Sequence, residues 1–225
     1  SNTDTITWEK NYKNGFGEVN PGDSGSVNFS VSPLSLFTAA GGILSDPSIK
    51  IDISISGKEV LEGYANSDLN NSDSGIIQIV SDVGFATKAL YYSGPFKNSG
   101  PVPPKVEQET TYTVQWSVSN TSNNISKVVA RSSLPVWMKF VGSISPEGVD
   151  LTYNVSTREI TWNVGTIPKG AGIIGTGKTV FFQVAFTPSL SQARTTPVII
   201  NDTILTGRDD FANVDVTVNK MSLRT

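Results

Sequence analysis

With neither histidine nor cysteine in its 225 residues, this chain can do chemistry only through carboxylates, hydroxyls, amides and lysines. The usual neutral-pH general base, the commonest zinc ligand, the Ser-His-Asp triad, the thiolate nucleophile and the disulfide are all ruled out by composition. What survives is a carboxylate pair of the glycosidase kind, and Glu147, Asp150 and Glu159 lie near one another in sequence. Such a pair needs one acid whose pKa is raised by an apolar pocket. These three instead sit in a polar loop and on an exposed strand edge, where carboxylates simply meet water, so the sequence reads as non-enzymatic.

Calcium needs only oxygen donors, and it is the one cofactor the composition leaves open. Asp202 with Asp209 and Asp210, and Asp68 with Asp73, are the candidate clusters. Neither has the spacing of a calcium loop, and solvated acidic turns are the stronger reading. Asn-x-Ser/Thr sequons occur at Asn28, Asn70, Asn120, Asn124, Asn154 and Asn201. An Asn- and Thr-rich composition generates such triplets by chance, and Asn28 falls inside an expected strand.

The elements that would position these residues are strands. Val, Ile, Phe, Tyr, Trp and Thr alternate with polar residues between turn signals throughout the chain. Ile49, Ile51, Ile53 and Ile55 put four isoleucines on one face of a segment, as a half-buried antiparallel strand requires. The same pattern predicts strands over Val27, Phe29 and Val31; over Tyr112, Val114, Trp116 and Val118; over Val180, Phe182, Val184 and Phe186; and over Val214, Val216 and Val218. Tyr112, Trp116 and Trp162 read as core fillers between two sheets. Turns are marked by Asn14-Gly15, Asn20-Pro21-Gly22-Asp23, Ser145-Pro146-Glu147-Gly148 and Pro168-Lys169-Gly170. The stretches 34–44 and 189–195 read as loops, because glycine, proline and serine crowd them. The fold class is therefore all-β, with immunoglobulin-like sandwiches in tandem.

Length favours two modules. The apolar strand beginning at Val83 reads as the first of the second module, with the proline-rich stretch 94–104 as its crossover, which places the boundary near residue 82. An internal repeat supports this. Ile6-Thr7-Trp8 echoes Ile160-Thr161-Trp162, Gly17 to Gly22 echoes Gly165 to Gly170, and Val27 to Pro33 echoes Phe181 to Pro188. Residues 1–82 thus align only with the back half of residues 83–225. The first module reads as partial, lacking its N-terminal strands, and the second as complete. A cysteine-free sandwich can also be cross-linked by an isopeptide bond, for which Lys88 and Asn219 are partners by topology, although an ordinary surface lysine is the simpler account.

Within residues 83–225 a set of motifs runs in order: Pro104 to Val114, Val118-Ser119-Asn120-Thr121, Leu134-Pro135 before Phe140, Glu159 to Ile167, and Ile200-Asn201-Asp202-Thr203. This region resembles the "conserved repeat" domain of bacterial surface proteins, the domain-of-unknown-function type eleven family. The resemblance implies an immunoglobulin-like fold in tandem arrays, an extracellular cell-surface location, a structural or adhesive role and no active site common to the family. Trp137 and the insertion Ala171 to Gly177 depart from that pattern. Independently of kinship, Asn120 and Asn201 are placed to bond neighbouring backbone and pin turns.

The expected function is a non-catalytic spacer within a larger tandem-repeat bacterial surface protein, its partners being other modules of the same protein. One alternative is an adhesive module contacting a surface protein or glycan through the apolar loop 34–46, with Leu36, Phe37, Ile43 and Leu44. The other is a subunit of a strand-complemented filament. A formal charge of −3, from 17 basic and 20 acidic residues, offers no basic stripe for nucleic acid, and no run is long and apolar enough to insert in a membrane.

Overall fold

The computed structural model describes residues 4–9, 17–32, 35–36, 38, 41–60 and 65–225. The Asn14-Gly15 turn, together with Leu34 and Phe37 of the apolar loop, lies outside the described residues. Two units are distinguished, Ser1–Ser35 and Leu36–Thr225.

In the first unit, Asn20 to Asp23 closes a turn: the Asp23 N–H donates to the Asn20 carbonyl at 3.0 Å, and Asp23 Oδ2 accepts from the Asn20 N–H at 3.0 Å. The rings of Trp8 and Phe29 lie 6.0 Å apart. The strand expected over Val27, Phe29 and Val31 does not form, and Phe29 and Val31 are exposed. Alternation equips a segment to lie half-buried, but a strand exists only where its N–H and C=O groups find a ladder, and none forms among the described residues of this unit.

The second unit opens with a long ribbon. β1 (Ser48–Glu59) and β2 (Ser67–Gln78) pair antiparallel without interruption from Ser48↔Gln78 to Glu59↔Ser67. Among the described residues each has the other as its sole strand neighbour. Ile49, Ile51, Ile53 and Ile55 share a face, as their spacing requires, with Ile77 and Leu69 on the same side of β2. The expectation of half-burial fails toward the far end, where Ile53 is 56% and Ile55 59% exposed. A two-stranded sheet has an amphipathic face but no second layer of its own to bury it.

The rest of the unit is a β-sandwich. One sheet runs β3 (Val83–Leu90), β4 (Thr110–Asn120), β9 (Lys178–Phe186), β6 (Met138–Ser145); the other runs β12 (Val214–Lys220), β11 (Thr203–Asp209), β5 (Ile125–Ser133), β8 (Glu159–Ile167), β7 (Leu151–Asn154). β10 (Val198–Ile200) pairs with β13 (Leu223–Arg224), and a short 3-10 turn at Leu190–Gln192 lies within the stretch expected to be a loop. The sandwich's first two strands share one sheet while its third and the final hairpin β11–β12 share the other, which is the immunoglobulin-like arrangement.

The core lies between these sheets. Trp116 is fully buried, with its ring edge-on to Phe182 at 5.1 Å and to Phe85 at 6.0 Å. Phe140 of the first sheet stacks on Tyr153 of the second at 4.8 Å. Tyr112 and Trp162 are buried as expected, and burial combined with the neighbouring Tyr91 raises the Tyr112 pKa. An aromatic of this size removes roughly 150–250 Å² from water, worth about 5 kcal/mol before entropy. In the crossover, Gly100 is held at φ +94° with the Glu109 carbonyl 2.1 Å from where a Cβ would sit, so no side chain fits there.

Candidate functional site

At one pole of the sandwich five segments converge: Ser81, just ahead of β3; the link 121–124 between β4 and β5; the turn after β8; the turn after β11; and residues 43–47, just ahead of the ribbon. Three of them, Ser81, the 121–124 link and the turn after β11, bond to Asp209, a carboxylate with no exposed surface. The inward positions of β11 alternate Thr203, Leu205, Gly207, Asp209, so the strand's own period carries an acid into the interior.

A buried charge persists only when hydrogen bonds replace its water. Asp209 Oδ2 accepts from the Ser81 N–H at 2.8 Å and from Asn123 Nδ2 at 2.8 Å. Its Oδ1 accepts from the N–H groups of Phe211 at 3.0 Å and Ala212 at 2.9 Å, closing the β11–β12 turn. A carboxylate has about four acceptor sites, and all four are filled. Burial alone would raise the Asp209 pKa, but donation from Ser81, Ala212, Asn123 and Phe211 outweighs it and the pKa lies below the ordinary 3.8.

Neutral side chains extend the knot. The Ser81 hydroxyl donates to Asn120 Oδ1 at 2.6 Å and accepts from the N–H groups of Ser122 at 2.9 Å and Asn123 at 3.1 Å. Asn120, fully buried, donates to the Asn123 and Pro168 carbonyls, which is the backbone-pinning role its position suggested. Its burial leaves that sequon closed to a glycan. Asn123 also donates to the Ile79 carbonyl at 2.9 Å, while its Oδ1 and the Ser122 hydroxyl are buried without partners. Further links reach the segment ahead of the ribbon: the Asp46 N–H donates to the Ser122 carbonyl, the Ile79 N–H to the Pro47 carbonyl, and Lys169 Nζ to Ser45 Oγ at 2.6 Å.

Chemically this arrangement holds rather than reacts. Ser81 donates to an amide oxygen, not to a base, and a carboxylate with a lowered pKa and no free lone pair is a poor proton acceptor. Nor do the sequence-derived candidates assemble elsewhere. Glu147, Asp150 and Glu159 are all exposed; Asp150 accepts from Asn163 Nδ2 and Glu159 from the Thr161 hydroxyl. Asp202 and Asp209 stand at opposite ends of β11, on the order of 20 Å apart at ~3.3 Å per residue. Asp202 accepts from the Ser222 N–H, and Asp210 from the Ser126 hydroxyl. Asp68 and Asp73 project from opposite faces of β2. No group of three or more Asp or Glu that could hold a metal converges among the described residues. Lys88 and Asn219 are both exposed, on different sheets.

The apolar loop closes locally: the Leu44 N–H donates to the Leu36 carbonyl at 2.8 Å, with Leu36 and Ile43 half-buried and Leu44 exposed. Trp137, one of the departures from the repeat pattern, donates its Nε1 to the Val198 carbonyl at 2.9 Å. Ser81 and Asn123 were not singled out by sequence reasoning. The available signal was Asp209 itself, because an acid in register with Leu205 requires donors from somewhere.

No protein-family model matches the chain, and no curated protein matches it. Among solved structures it is similar to BcpA, the major pilin subunit of Bacillus cereus, at 9% identity and a TM-score of 0.39, covering 76% of this chain and 47% of that one. It is also similar to the full-length major pilin SpaD from Corynebacterium diphtheriae, at 10% identity and a TM-score of 0.37, covering 84% and 63%. A third likeness is to the Fcho1 Mu homology domain of Danio rerio with bound Eps15 peptide, at 10% identity and a TM-score of 0.35, covering 72% and 51%. In each case the chain spans less than two thirds of the length of the structure it matches.

Proposed function

We propose that this chain is a non-catalytic, load-bearing spacer: part of a larger tandem-repeat protein on a bacterial cell surface, in which sandwich modules are joined in series. The observation that carries this reading is the Asp209 knot. Ser81, through which the ribbon's chain runs into the sandwich, is bonded to a buried charge that also anchors the β4–β5 link and the β11–β12 turn. A joint of this kind turns a flexible connection into a fixed one, and it commits the region's buried carboxylate to rigidity rather than to reactivity. Glu147, Asp150 and Glu159, all left in water, add to the same reading.

Force spectroscopy on single molecules tests it. Pulled through its termini, the wild-type chain gives a discrete sandwich rupture, and Asp209→Asn lowers the rupture force. Equal forces in the two proteins, or hydrolysis of any member of a glycan panel by the wild-type chain, would overturn the assignment.

A further inference from the structure

Among the described residues the two sheets of the sandwich end on four strands: β3 and β6 flank one sheet, β12 and β7 the other. A free edge attracts further strands unless something blunts it. β6 is broken between Phe140 and Ile144, where Gly142 stands at φ +96°. β7 is only four residues long, and β3 carries the exposed Lys88 within its span. β12 has none of these devices. Its seven residues keep an unbroken register with β11, and its charged residues stand toward its ends, leaving Val216, Thr217 and Val218 at the middle. Asp215 is moreover tied to Arg208 of its own sheet at 2.8 Å.

The sequence of this edge matches itself. Val214–Lys220 has Thr217 at its centre, so a two-fold axis through Thr217 pairs all seven residues antiparallel with those of a second copy. An axis on a residue also keeps the side-chain alternation in phase: the exposed Asp215, Thr217 and Asn219 meet their own kind of face, and the half-buried Val216 and Val218 meet theirs. Thr217 then lies beside Thr217 of the second copy, Val216 beside Val218, and Asp215 beside Asn219, an amide that can donate to it. Threonine pairs and β-branched pairs are favourable across strands. Like charges stay apart, the two Asp215 carboxylates by about 14 Å and the two Lys220 ammonium groups by about 20 Å along the ladder, beyond the ~8 Å screening length. A strand from another protein would find the same backbone groups without these matched pairs.

We infer that the outer edge of β12 is a self-association site, which takes β12 of a second copy antiparallel about Thr217 and joins the two five-stranded sheets into one. The contact is small. Seven residues at ~3.4 Å each, about 10 Å deep, give roughly 240 Å² per copy, against about 800 Å² in a stable interface. It is therefore a weak contact that acts where copies are crowded side by side. That use rests on the surface-spacer reading, whereas the pairing itself does not.

Sedimentation equilibrium of the full chain, from about 10 μM to about 1 mM at roughly 0.15 M salt, tests the pairing. The wild type is expected to pass from monomer toward dimer across that range. Thr217→Lys or Thr217→Glu alone sets like charges against each other on the axis and should weaken association about fivefold or more. Because Thr217 is exposed, both variants should melt as the wild type does. An equimolar mixture of the two pairs Lys with Glu and should restore association to within about twofold of the wild-type value. Three results overturn the inference: a wild type that stays monomeric throughout, variants that associate as the wild type does, which would move the contact to another surface such as the ribbon, or a mixture no stronger than either variant alone.

Discussion

Replacing Asp209 by Asn changes one atom in a fully buried site, and the structure makes its consequence calculable. The amide keeps one acceptor oxygen and substitutes an NH2 for the other. Either orientation turns a donor toward two donors, Ser81 N–H and Asn123 Nδ2 on one side or Phe211 N–H and Ala212 N–H on the other. Two hydrogen bonds to a charged group are lost, each worth about 1.5–3 kcal/mol, and the relief of leaving no buried charge offsets part of that. The expected loss is roughly 3–5 kcal/mol, or about 10 °C in Tm for a unit of this size. Urea denaturation followed by tryptophan emission measures it, with the buried Trp116 and Trp162 as reporters. The pH dependence supplies a second readout. Because the folded pKa lies below the unfolded one, the stabilisation is complete above the unfolded value near 3.8 and is lost as pH falls through the folded one. Wild-type stability therefore drops in acid more steeply than that of the variant. Asp210→Asn, at an exposed neighbour, serves as the control and should shift stability by less than about 0.5 kcal/mol. A loss under about 1 kcal/mol for Asp209→Asn, or parallel acid limbs, would refute the reasoning.

Other consequences are open to simpler assays. Trp116 Nε1 is buried without a partner, so Trp116→Phe should cost no more than about 2 kcal/mol, whereas Trp116→Ala, which leaves a cavity, should cost about 4 kcal/mol or more in the same denaturation experiment. Gly100→Ala should destabilise by over 3 kcal/mol because its Cβ meets the Glu109 carbonyl, while Gly142→Ala, at a similar φ of +96° but in open space, should lose only about 1 kcal/mol; thermal melts of the pair separate collision from backbone conformation. Millimolar calcium, or its removal by chelator, should leave Tm unmoved, since Asp209 has no acceptor site to offer and Asp202 stands at the far end of its strand.

The sandwich was legible because its signals are local. Val114, Trp116 and Val118, like Val180, Phe182 and Val184, alternate in sequence and turn the same way into one core. What failed was whatever depended on a neighbour. Val27, Phe29 and Val31 carry the alternation of β9 but have no ladder among the described residues, and Ile53 and Ile55 carry that of a buried strand but are more than half exposed. Asp209 was noticed as an acid, and its role was misread because its partners are distant: Ser81 is 128 residues away and Asn123 is 86. A pattern of period two says which way a side chain points, and nothing about what waits there.

The bare ribbon also bears on handling. A twelve-residue strand rich in isoleucine, open along one side, is a template on which identical molecules can stack laterally. Lys50, Asp52, Lys58 and Asp68 on its polar face act as gatekeepers against such growth, and their protection weakens when salt screens all four. Turbidity of concentrated solutions should therefore rise at high ionic strength well before the sandwich melts.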